Sequence, residues 1–272
     1  NPDLLAVPEN YEEYPDEITF INQLPDLFLF NGSQIKSDFD LICKDRKSGK
    51  LSSTNIQIGS GDVFIEDGAF VEACTLNTFD GPIYIGKNAQ IMEGSNIRGP
   101  VAFCENSVVK MGAKIYGATT IGPGSKVGGE INNSVFFANS NKAHDGYLGN
   151  AVIGEWCNLG ADTNNSNLKN NYAKVKIWNY EKQGFVNTGL QFCGLFMGDH
   201  SKSAINTMFN TGTVVGVSAN IFGAGFPRNF VPSFTWGGHG GTKEYDLKTA
   251  IETMQIVLSR RSLELSNIDI DI

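Results

Sequence analysis

The chain has 272 residues, 41% of them hydrophobic, which is enough to bury a core in one large domain or two small ones. A net charge of −8 and a charged fraction of 18% exclude the broad basic surface that a nucleic-acid backbone requires. The sequence contains neither an apolar run of membrane-spanning length nor a charged-then-apolar leader, so we expect a cytoplasmic protein without membrane or nucleic-acid partners.

Residues 1–50 are irregular. An acidic, proline-punctuated stretch from Glu9 to Glu17 precedes two apolar stretches, at 28–30 and 39–42. We interpret residues 1–50 as a linker and lead-in cap.

A period of six dominates the chain after residue 50. It is unbroken through Ile85, Ile91, Ile97, Phe103, Val109, Ile115, Ile121 and Val127. An earlier register runs through Ile58, Phe64, Phe70 and Leu76, and fragments resume at Ile153 with Leu159 and at Val215 with Ile221. Neither helices nor ordinary strands repeat at six, whereas short strands joined at tight glycine corners do. The pattern therefore predicts a parallel β-helix of hexapeptide repeats over residues 51–235.

Two segments interrupt the period. Residues 163–192 form a polar, aromatic-dotted excursion that we expect to project as a loop and to contribute to a site. Residues 236–272 form a C-terminal tail, in which Lys243 to Arg261 has helical spacing with an apolar stripe. This spacing predicts a capping α-helix.

The cysteines are widely spaced, odd in number and without a C-x-x-C pair: Cys43, Cys74, Cys104, Cys157 and Cys193. We expect buried thiols, neither disulfides nor zinc ligands, and interpret Cys157 as a small hydrophobic residue.

A motif lies inside the repeat region. Lys142-Ala143-His144 is followed by Tyr147-Leu148-Gly149, by Asn158-Leu159-Gly160-Ala161 and by Asn167. In order and spacing, residues 140–168 resemble the acetyltransferase domain of the bacterial bifunctional N-acetylglucosamine-1-phosphate uridyltransferase/glucosamine-1-phosphate N-acetyltransferase family, as an alternative form. That family has Lys-Ala-Gly-His, then Tyr-Leu-Gly-Asp, then Asn-Ile-Gly-Ala-Gly-Thr.

The resemblance implies an all-β, left-handed parallel β-helix that forms a homotrimer, with active sites between subunits and acetyl-CoA as the donor. It implies that His144 is the catalytic base, that Tyr147 and Asn158 contact the sugar phosphate, and that Asn167 acts at the donor thioester. The expected reaction is N-acetylation of an amino-sugar phosphate, glucosamine 1-phosphate, on the pathway to UDP-N-acetylglucosamine and the cell wall. Residues 1–50 are too short for a nucleotide-binding domain, so uridyltransferase activity is not expected from this chain.

The sequence departs from the family at its cationic positions. Tyr116 and Asn132 stand where the family has an arginine and a lysine, and Leu168 replaces a tyrosine. A phosphate is bound by Arg or Lys side chains or by backbone N–H groups, so another cation is needed. The candidates are Lys142, favoured because it lies beside the base, and Arg98, Lys114 and Lys169. In a second polar turn, Ser201 and Ser203 are candidates for acetyl-CoA binding, with an ordinary hydrogen-bonded corner as the alternative.

The residues support a base at His144 without the family. Attack of an amine on a thioester requires removal of a proton near neutral pH, for which imidazole is suited. The polar neighbours Asn141, Lys142 and Asp145 favour a cleft, although a buried structural histidine is the alternative. Nearby glycines at 146 and 149 permit close approach of a substrate.

Three other functions remain open. A metal-dependent enzyme of the carbonic-anhydrase type would need His144, His200 and His239 at one metal, but they lack the close pair typical of such sites, so we expect no metal. A non-catalytic trimeric scaffold is favoured by the missing cations. An acyltransferase for another amino sugar or a nucleotide-linked sugar keeps the chemistry but changes the acceptor.

Overall fold

The computed structural model describes residues 18–266, so the acidic stretch from Glu9 to Glu17 and residues 267–272 lie outside the described part. The chain winds through three long sheets, which we call A, B and C, and from β1 to β18 consecutive strands enter the three sheets in turn. The predicted fold class, a left-handed parallel β-helix of hexapeptide repeats, is confirmed. No helix among the described residues is both long and apolar enough to cross a lipid bilayer.

The strands are two to four residues long. Sheet A contains β1 (Ile56–Ile58), β4 (Thr75–Asn77), β7 (Asn96–Arg98), β10 (Lys114–Tyr116), β13 (Glu130–Asn132) and β16 (Tyr147–Gly149). Sheet B contains β2 (Val63–Ile65), β5 (Ile83–Ile85), β8 (Val101–Phe103), β11 (Thr119–Ile121), β14 (Val135–Phe136), β17 (Val152–Ile153), β22 (Phe196–Met197), β25 (Val214–Val215) and β27 (Phe230–Val231). Sheet C contains β3 (Phe70–Val71), β6 (Gln90–Ile91), β9 (Val108–Val109), β12 (Lys126–Val127), β15 (Asn141–Lys142), β18 (Asn158–Leu159), β23 (Lys202–Ser203), β26 (Asn220–Ile221), β28 (Thr235–Gly238) and β29 (Gly241–Glu244).

The core is the interior of the coils. All eight residues of the unbroken register from Ile85 to Val127 are at most 2% exposed, as are Ile153, Leu159, Val215 and Ile221. These positions stack in register from one coil to the next, for example Ile97 beside Ile115 and Ile115 beside Ile131. The period of six therefore identified the inward-facing residues over these segments.

The earlier register was right at Leu76, which is fully buried in the core, but it selected outward-facing residues at Ile58, Phe64 and Phe70. Ile58 and Phe70 are 38% and 48% exposed, and Phe64 lies on the outer face of sheet B, where its ring is 6.4 Å from that of Phe39. The inward residues of these strands are Ile65 and Val71, which belong to the main core. Both faces of the strands carry apolar residues here, so the period alone could not distinguish them.

The N-terminal segment is helical and covers sheet B. It contains α1 (Asp26–Leu29) and α2 (Asn31–Cys43). Phe28 stacks on Phe196 with ring centroids 6.1 Å apart, and Asn31 donates through Nδ2 to the Ala118 carbonyl at 2.6 Å. We expected an irregular linker and lead-in, but residues 26–43 form two helices that pack along one face of the solenoid.

The excursion after residue 163 folds back onto the same face. β19 (Asn164–Asn165) first continues a coil beside β24 (Met208–Phe209), and an antiparallel hairpin of β20 (Lys176–Asn179) and β21 (Gly184–Asn187) follows. Val175 and Ile177 are buried with the outward residues Phe196 and Val214 of sheet B. We expected a projecting loop, but apolar side chains on the hairpin pack it against the sheet.

The C-terminal tail lies alongside the solenoid. The antiparallel strand β29 follows β28, and α3 (Leu247–Ser259) begins after Asp246, whose carboxylate accepts a hydrogen bond from the Thr249 N–H. After α3, the Arg261 guanidinium lies 5.7 Å from the ring centroid of Trp156, at the corner between sheets B and C. The predicted helix exists, but it starts four residues later than expected, because Lys243 belongs to β29.

Side chains cover the first coil at its open end. The Gly49 N–H donates to the Ile65 carbonyl at 2.8 Å, and the Ser48 hydroxyl accepts from the Ile65 N–H at 2.9 Å. The Asn55 amide bonds the Val71 carbonyl and the Cys74 N–H. The backbone groups of Ile65 and Val71 at the end of the stack therefore have partners.

Sheets A and C keep exposed outer faces. Outward residues such as Asn96, Lys114, Lys126 and Asn158 are exposed along these sheets, whereas sheet B is covered by α1, α2 and the hairpin. Within residues 18–266, the corner between sheets C and A, which we call the C–A corner, is therefore the solenoid edge that lies between two faces with exposed outward residues.

Candidate active site

His144 lies on the C–A corner. It belongs to the turn between β15 and β16, and its side chain is exposed. Its ring forms no hydrogen bond or ion pair with any other residue in the range 18–266. Both ring nitrogens can therefore contact a substrate or a neighbouring chain, and the alternative of a buried structural histidine does not fit.

Lys142 lies inside the solenoid, beneath the same corner. It is 1% exposed, and its Nζ donates to the carbonyls of His144 at 2.9 Å, Asp145 at 3.3 Å and Gly128 at 3.4 Å. Burial lowers the pKa of Lys142 to about 8, although the Asp145 and Asp162 carboxylates oppose this effect. The ammonium therefore holds the corner backbone from within and does not point towards an outside ligand, as the predicted phosphate contact would require.

Tyr147, Asn167 and Asn150 form a hydrogen-bonded cluster. The Asn167 Nδ2 donates to the Tyr147 hydroxyl at 2.9 Å and to the Asn150 Oδ1 at 2.8 Å. Burial raises the pKa of Tyr147, although the hydrogen bonds from Asn132 and Asn167 oppose this, so the phenol is neutral at pH 7. The structure thus brings together two residues predicted from the motif, 20 positions apart in sequence.

Glycine is needed at position 149 for this arrangement. A Cβ at Gly149 would lie 2.2 Å from the Tyr147 hydroxyl oxygen, so the phenol ring lies across a residue without a side chain. The Tyr147 N–H is held by the Asn164 Oδ1 at 2.8 Å. The Tyr-Leu-Gly motif therefore positions the phenol in two ways. The backbone N–H of Tyr147 is fixed by Asn164, and Gly149 leaves room for the ring.

The sheet A wall next to Tyr147 carries a carboxylate. Glu130 lies opposite Tyr147 in the neighbouring strand, accepts a hydrogen bond from the Tyr116 hydroxyl at 2.6 Å, and pairs with Lys114 at 3.5 Å. The bond to Glu130 raises the pKa of Tyr116 to about 12. The two positions where the resembled family has cations therefore carry neutral side chains here, Tyr116 and Asn132, and Tyr116 is bound to a carboxylate.

Asn158 lies on the other side of the corner, on the outer face of sheet C. Its Oδ1 accepts from Asn141 Nδ2 at 2.8 Å. Lys126 is opposite Asn141 in the next strand, is exposed, and forms no ion pair within the described residues. The C–A corner is therefore flanked on one side by Tyr147 of sheet A with its partner Asn167, and on the other by asparagines and an ammonium without an ion pair on sheet C.

Three other predicted residues lie elsewhere. Arg98 is three strands from Tyr147 in sheet A, about 14 Å at normal strand spacing, and its guanidinium is paired with Asp80 at 2.6 Å. Ser201 and Ser203 are buried: Ser201 donates to the Gly216 carbonyl at 2.6 Å and Ser203 bonds the Thr163 hydroxyl at 2.9 Å. Both serines therefore fit the alternative interpretation, a hydrogen-bonded corner, and do not present their hydroxyl groups to acetyl-CoA.

Lys169 lies at the base of the hairpin, in a groove with two other cations, Lys176 and Arg228. The aromatic side chains of Phe185 and Phe230 form the rest of its wall with Asn229. We call this the hairpin groove. It begins two residues after Asn167.

The other two histidines are separate from the site. His200 stacks on Trp156 with ring centroids 6.2 Å apart, and burial lowers its pKa. His239 lies in the turn between β28 and β29. No group of three His, Cys, Asp or Glu side chains within residues 18–266 is arranged to hold a metal ion.

Burial raises the pKa of the Cys157 thiol to about 12, which fits the prediction of a small hydrophobic residue.

Sequence reasoning missed Asn150, Glu130 and Lys126. Asn150 had a signal, because it stands where the resembled motif has the acid after Tyr-Leu-Gly. Glu130 and Lys126 had none, because their positions beside Tyr147 and Asn141 depend on coil lengths that vary along the chain.

Comparison with known proteins gives partial matches, and no protein-family model matches the chain. A bifunctional sugar-1-phosphate nucleotidylyltransferase/acetyltransferase of Sulfurisphaera tokodaii is 30% identical over 144 residues, which are 52% of this chain and 35% of that protein. The bifunctional protein GlmU of Methanocaldococcus jannaschii is 30% identical over 118 residues, 43% of this chain and 26% of that protein. The matched segments thus span about a third or less of these relatives.

Solved structures of hexapeptide-repeat enzymes are more distant. LpxA, a UDP-N-acetylglucosamine acyltransferase from Bacteroides fragilis, aligns with a TM-score of 0.38 and 16% identity, covering 82% of this chain and 81% of that one. The sequence matches carry the comparison, and they confirm the resemblance predicted from residues 140–168: this chain is similar to the GlmU-type bifunctional sugar-phosphate enzymes at about 30% identity over part of its length.

Proposed function

We propose that the chain is an acetyl-CoA-dependent N-acetyltransferase that acts on an amino-sugar phosphate, with glucosamine 1-phosphate as the expected acceptor, in nucleotide-sugar biosynthesis in the cytoplasm. One observation carries the proposal. An exposed His144 lies on a corner between the hydrogen-bonded pair of Tyr147 and Asn167 and the exposed Asn158, in the spacing of the resembled motif.

In the proposed reaction, the His144 imidazole takes a proton from the acceptor amine as the nitrogen attacks the carbonyl carbon of the thioester. A C–N bond forms and the carbonyl oxygen becomes an oxyanion. Collapse of this intermediate breaks the C–S bond, and the thiolate of CoA leaves with the electron pair and takes the proton back from the imidazolium. Tyr147 and Asn158 hold the sugar.

The side-chain amide of Asn167 is suited to binding the donor because its oxygen is still available to accept a hydrogen bond. Both N–H groups of its amide are used within the chain, on Tyr147 and Asn150. Only its Oδ1 remains to accept a hydrogen bond. We assign this oxygen to an amide N–H of the pantetheine arm of acetyl-CoA.

The acceptor phosphate belongs on the sheet C side of the corner. Lys142 is inside the solenoid, and on sheet A the ammonium of Lys114 is paired with Glu130. A carboxylate next to Tyr147 would repel a phosphate placed there. Lys126, exposed and without an ion pair in the described part of the chain, is the cation of this chain that we assign to the phosphate.

The function is tested by measuring release of free CoA from acetyl-CoA with glucosamine 1-phosphate, glucosamine 6-phosphate, glucosamine and a UDP-linked amino sugar. We expect turnover with glucosamine 1-phosphate. Turnover with another amine only would keep the chemistry and change the acceptor. No acceptor-dependent release with any of them would contradict the proposal and leave the non-catalytic scaffold.

A homotrimer is part of the proposal. The C–A corner that carries His144 also exposes apolar side chains, with Met111 71% exposed and Ile205 68% exposed. Exposed apolar residues along one edge suit an interface between chains. A neighbour at this edge would complete the walls around His144, which the described residues of one chain leave open.

We therefore expect sedimentation to give three times the chain mass of 29.5 kDa. The double variant Met111→Asp, Ile205→Asp should shift the protein towards the monomer and reduce its activity. Phe79→Asp is the matched control, because Phe79 is 70% exposed on the corner between sheets A and B. A fully active monomer at micromolar concentration would rule out this assembly.

A further inference from the structure

The hairpin groove concentrates positive charge that the chain does not neutralise. Lys169, Lys176 and Arg228 come from three separate segments, and no carboxylate is among the residues that line the groove. Arg46, Arg98 and Lys114 on the same molecule each pair with an acid, whereas the three groove cations form no ion pair within residues 18–266. In a chain of net charge −8, three unpaired cations at one place favour an anionic ligand with more than one charge.

The groove also has a fixed aromatic wall. Phe230 stacks on Trp178 with ring centroids 4.1 Å apart and planes 10° apart, and Phe185 meets the edge of Trp178 at 5.5 Å. Phe185 nevertheless remains 49% exposed. A rigid, accessible ring beside cations is suited to stacking a nucleobase, which free phosphate or a simple sugar phosphate would not use.

The groove adjoins the candidate active site. Lys169 follows Asn167 by two residues, so their Cα atoms are at most about 7 Å apart. A ligand with its charged part among the three cations therefore reaches the cluster of Tyr147 and Asn167 with its other end.

From these observations we infer that the hairpin groove binds the nucleoside diphosphate part of a substrate, with the phosphates on Lys169, Lys176 and Arg228 and the base on Phe185. This inference rests on the proposed acyl transfer at the adjoining site. Two substrates carry such a group: the donor CoA, through its adenosine diphosphate, and an acceptor sugar linked to a nucleotide.

Titration calorimetry on the full chain tests the groove by binding alone. The probes are CoA, 3′,5′-ADP, UDP, UDP-N-acetylglucosamine and inorganic pyrophosphate. We expect CoA or the UDP compounds to bind, and the triple variant Lys169→Met, Lys176→Met, Arg228→Met to bind at least about 10- to 100-fold more weakly. Lys182→Met, in the exposed turn of the same hairpin, is the matched control and should bind as the wild type does.

The aromatic wall is tested by Phe185→Leu, which should weaken nucleotide binding several-fold and leave pyrophosphate binding unchanged. Thermal unfolding checks that each variant is folded. Binding of CoA and 3′,5′-ADP but not of the UDP compounds assigns the groove to the donor, and the reverse assigns it to the acceptor.

The inference is overturned if the wild type binds none of these nucleotides below millimolar concentration, or if the folded triple variant binds them as tightly as the wild type. These outcomes are independent of catalysis. A protein that binds nucleotide through the three cations but transfers no acetyl group would refute the proposed function and leave the groove assignment intact.

Discussion

We expect His144→Ala to lower kcat for acetyl transfer by about 10² to 10⁴ and to leave the KM values of acetyl-CoA and the acceptor nearly unchanged. Only proton transfer is lost, because the side chain makes no hydrogen bond in the described part of the chain and supports no neighbouring structure. Tyr147, Asn158 and Asn167 keep their positions, so binding is retained.

Steady-state kinetics over a range of pH gives a second readout. An imidazolium cannot accept a proton, so the wild-type kcat should fall on acidification, and the variant should lack that fall. His239→Ala is the matched control, because His239 lies in the exposed turn between β28 and β29 and should keep the wild-type rate. A wild-type rate in His144→Ala, or an unfolded variant, would refute the base assignment.

Lys142→Met changes how stability depends on pH. Burial lowers the pKa of Lys142 from its ordinary 10.5 to about 8. Between these values the unfolded chain holds a proton on this lysine that the folded chain has lost, so stability rises with pH across the window. Below pH 8 the buried ammonium is charged in the folded state, and this contribution is absent. Relative to the variant, the wild type should gain about 3 kcal/mol in free energy of unfolding between pH 7.5 and 10.5.

Denaturant unfolding of both proteins at matched concentration measures this difference, and subtraction removes the tyrosines and cysteines that also titrate at high pH. Lys126→Met, an exposed lysine on the neighbouring strand, controls for loss of one surface charge. A difference between wild type and Lys142→Met that stays constant from pH 7.5 to 10.5 would mean that the ammonium is not held within the solenoid.

The interior of the solenoid was predictable where the period of six runs unbroken. From Ile85 to Val127 every residue at this period is buried, even where its neighbour is apolar too, as at Val109 beside Val108. At Phe64 and Phe70 the inward neighbours Ile65 and Val71 are apolar as well, and Phe64 itself is buried on the outer face because α2 covers it. Local pattern could not reveal a helix packed on the outer face.

The candidate site was predictable to the extent that it lies in one motif. The spacing from His144 to Tyr147 and Asn167 predicted residues that the fold places around one corner, with Tyr147 and Asn167 in contact. The direction of Lys142 was not predictable, because a lysine in a polar segment ordinarily faces solvent. It points inward because strand alternation places it in the core column, above Val127.

The two ends of the solenoid affect how copies of the chain can associate. A stack of parallel coils can in principle continue from one molecule into the next and grow into a fibre through its unpaired strand edges. At one end, Ser48, Gly49 and Asn55 already bond the backbone of Ile65 and Val71 in the second and third strands of the first coil. At the other, β29 runs antiparallel to β28 and is exposed along its length, with Lys243 and Glu244 on it, so the parallel ladder stops there. Association end to end is therefore disfavoured, and contacts between copies are directed to the long sides of the prism.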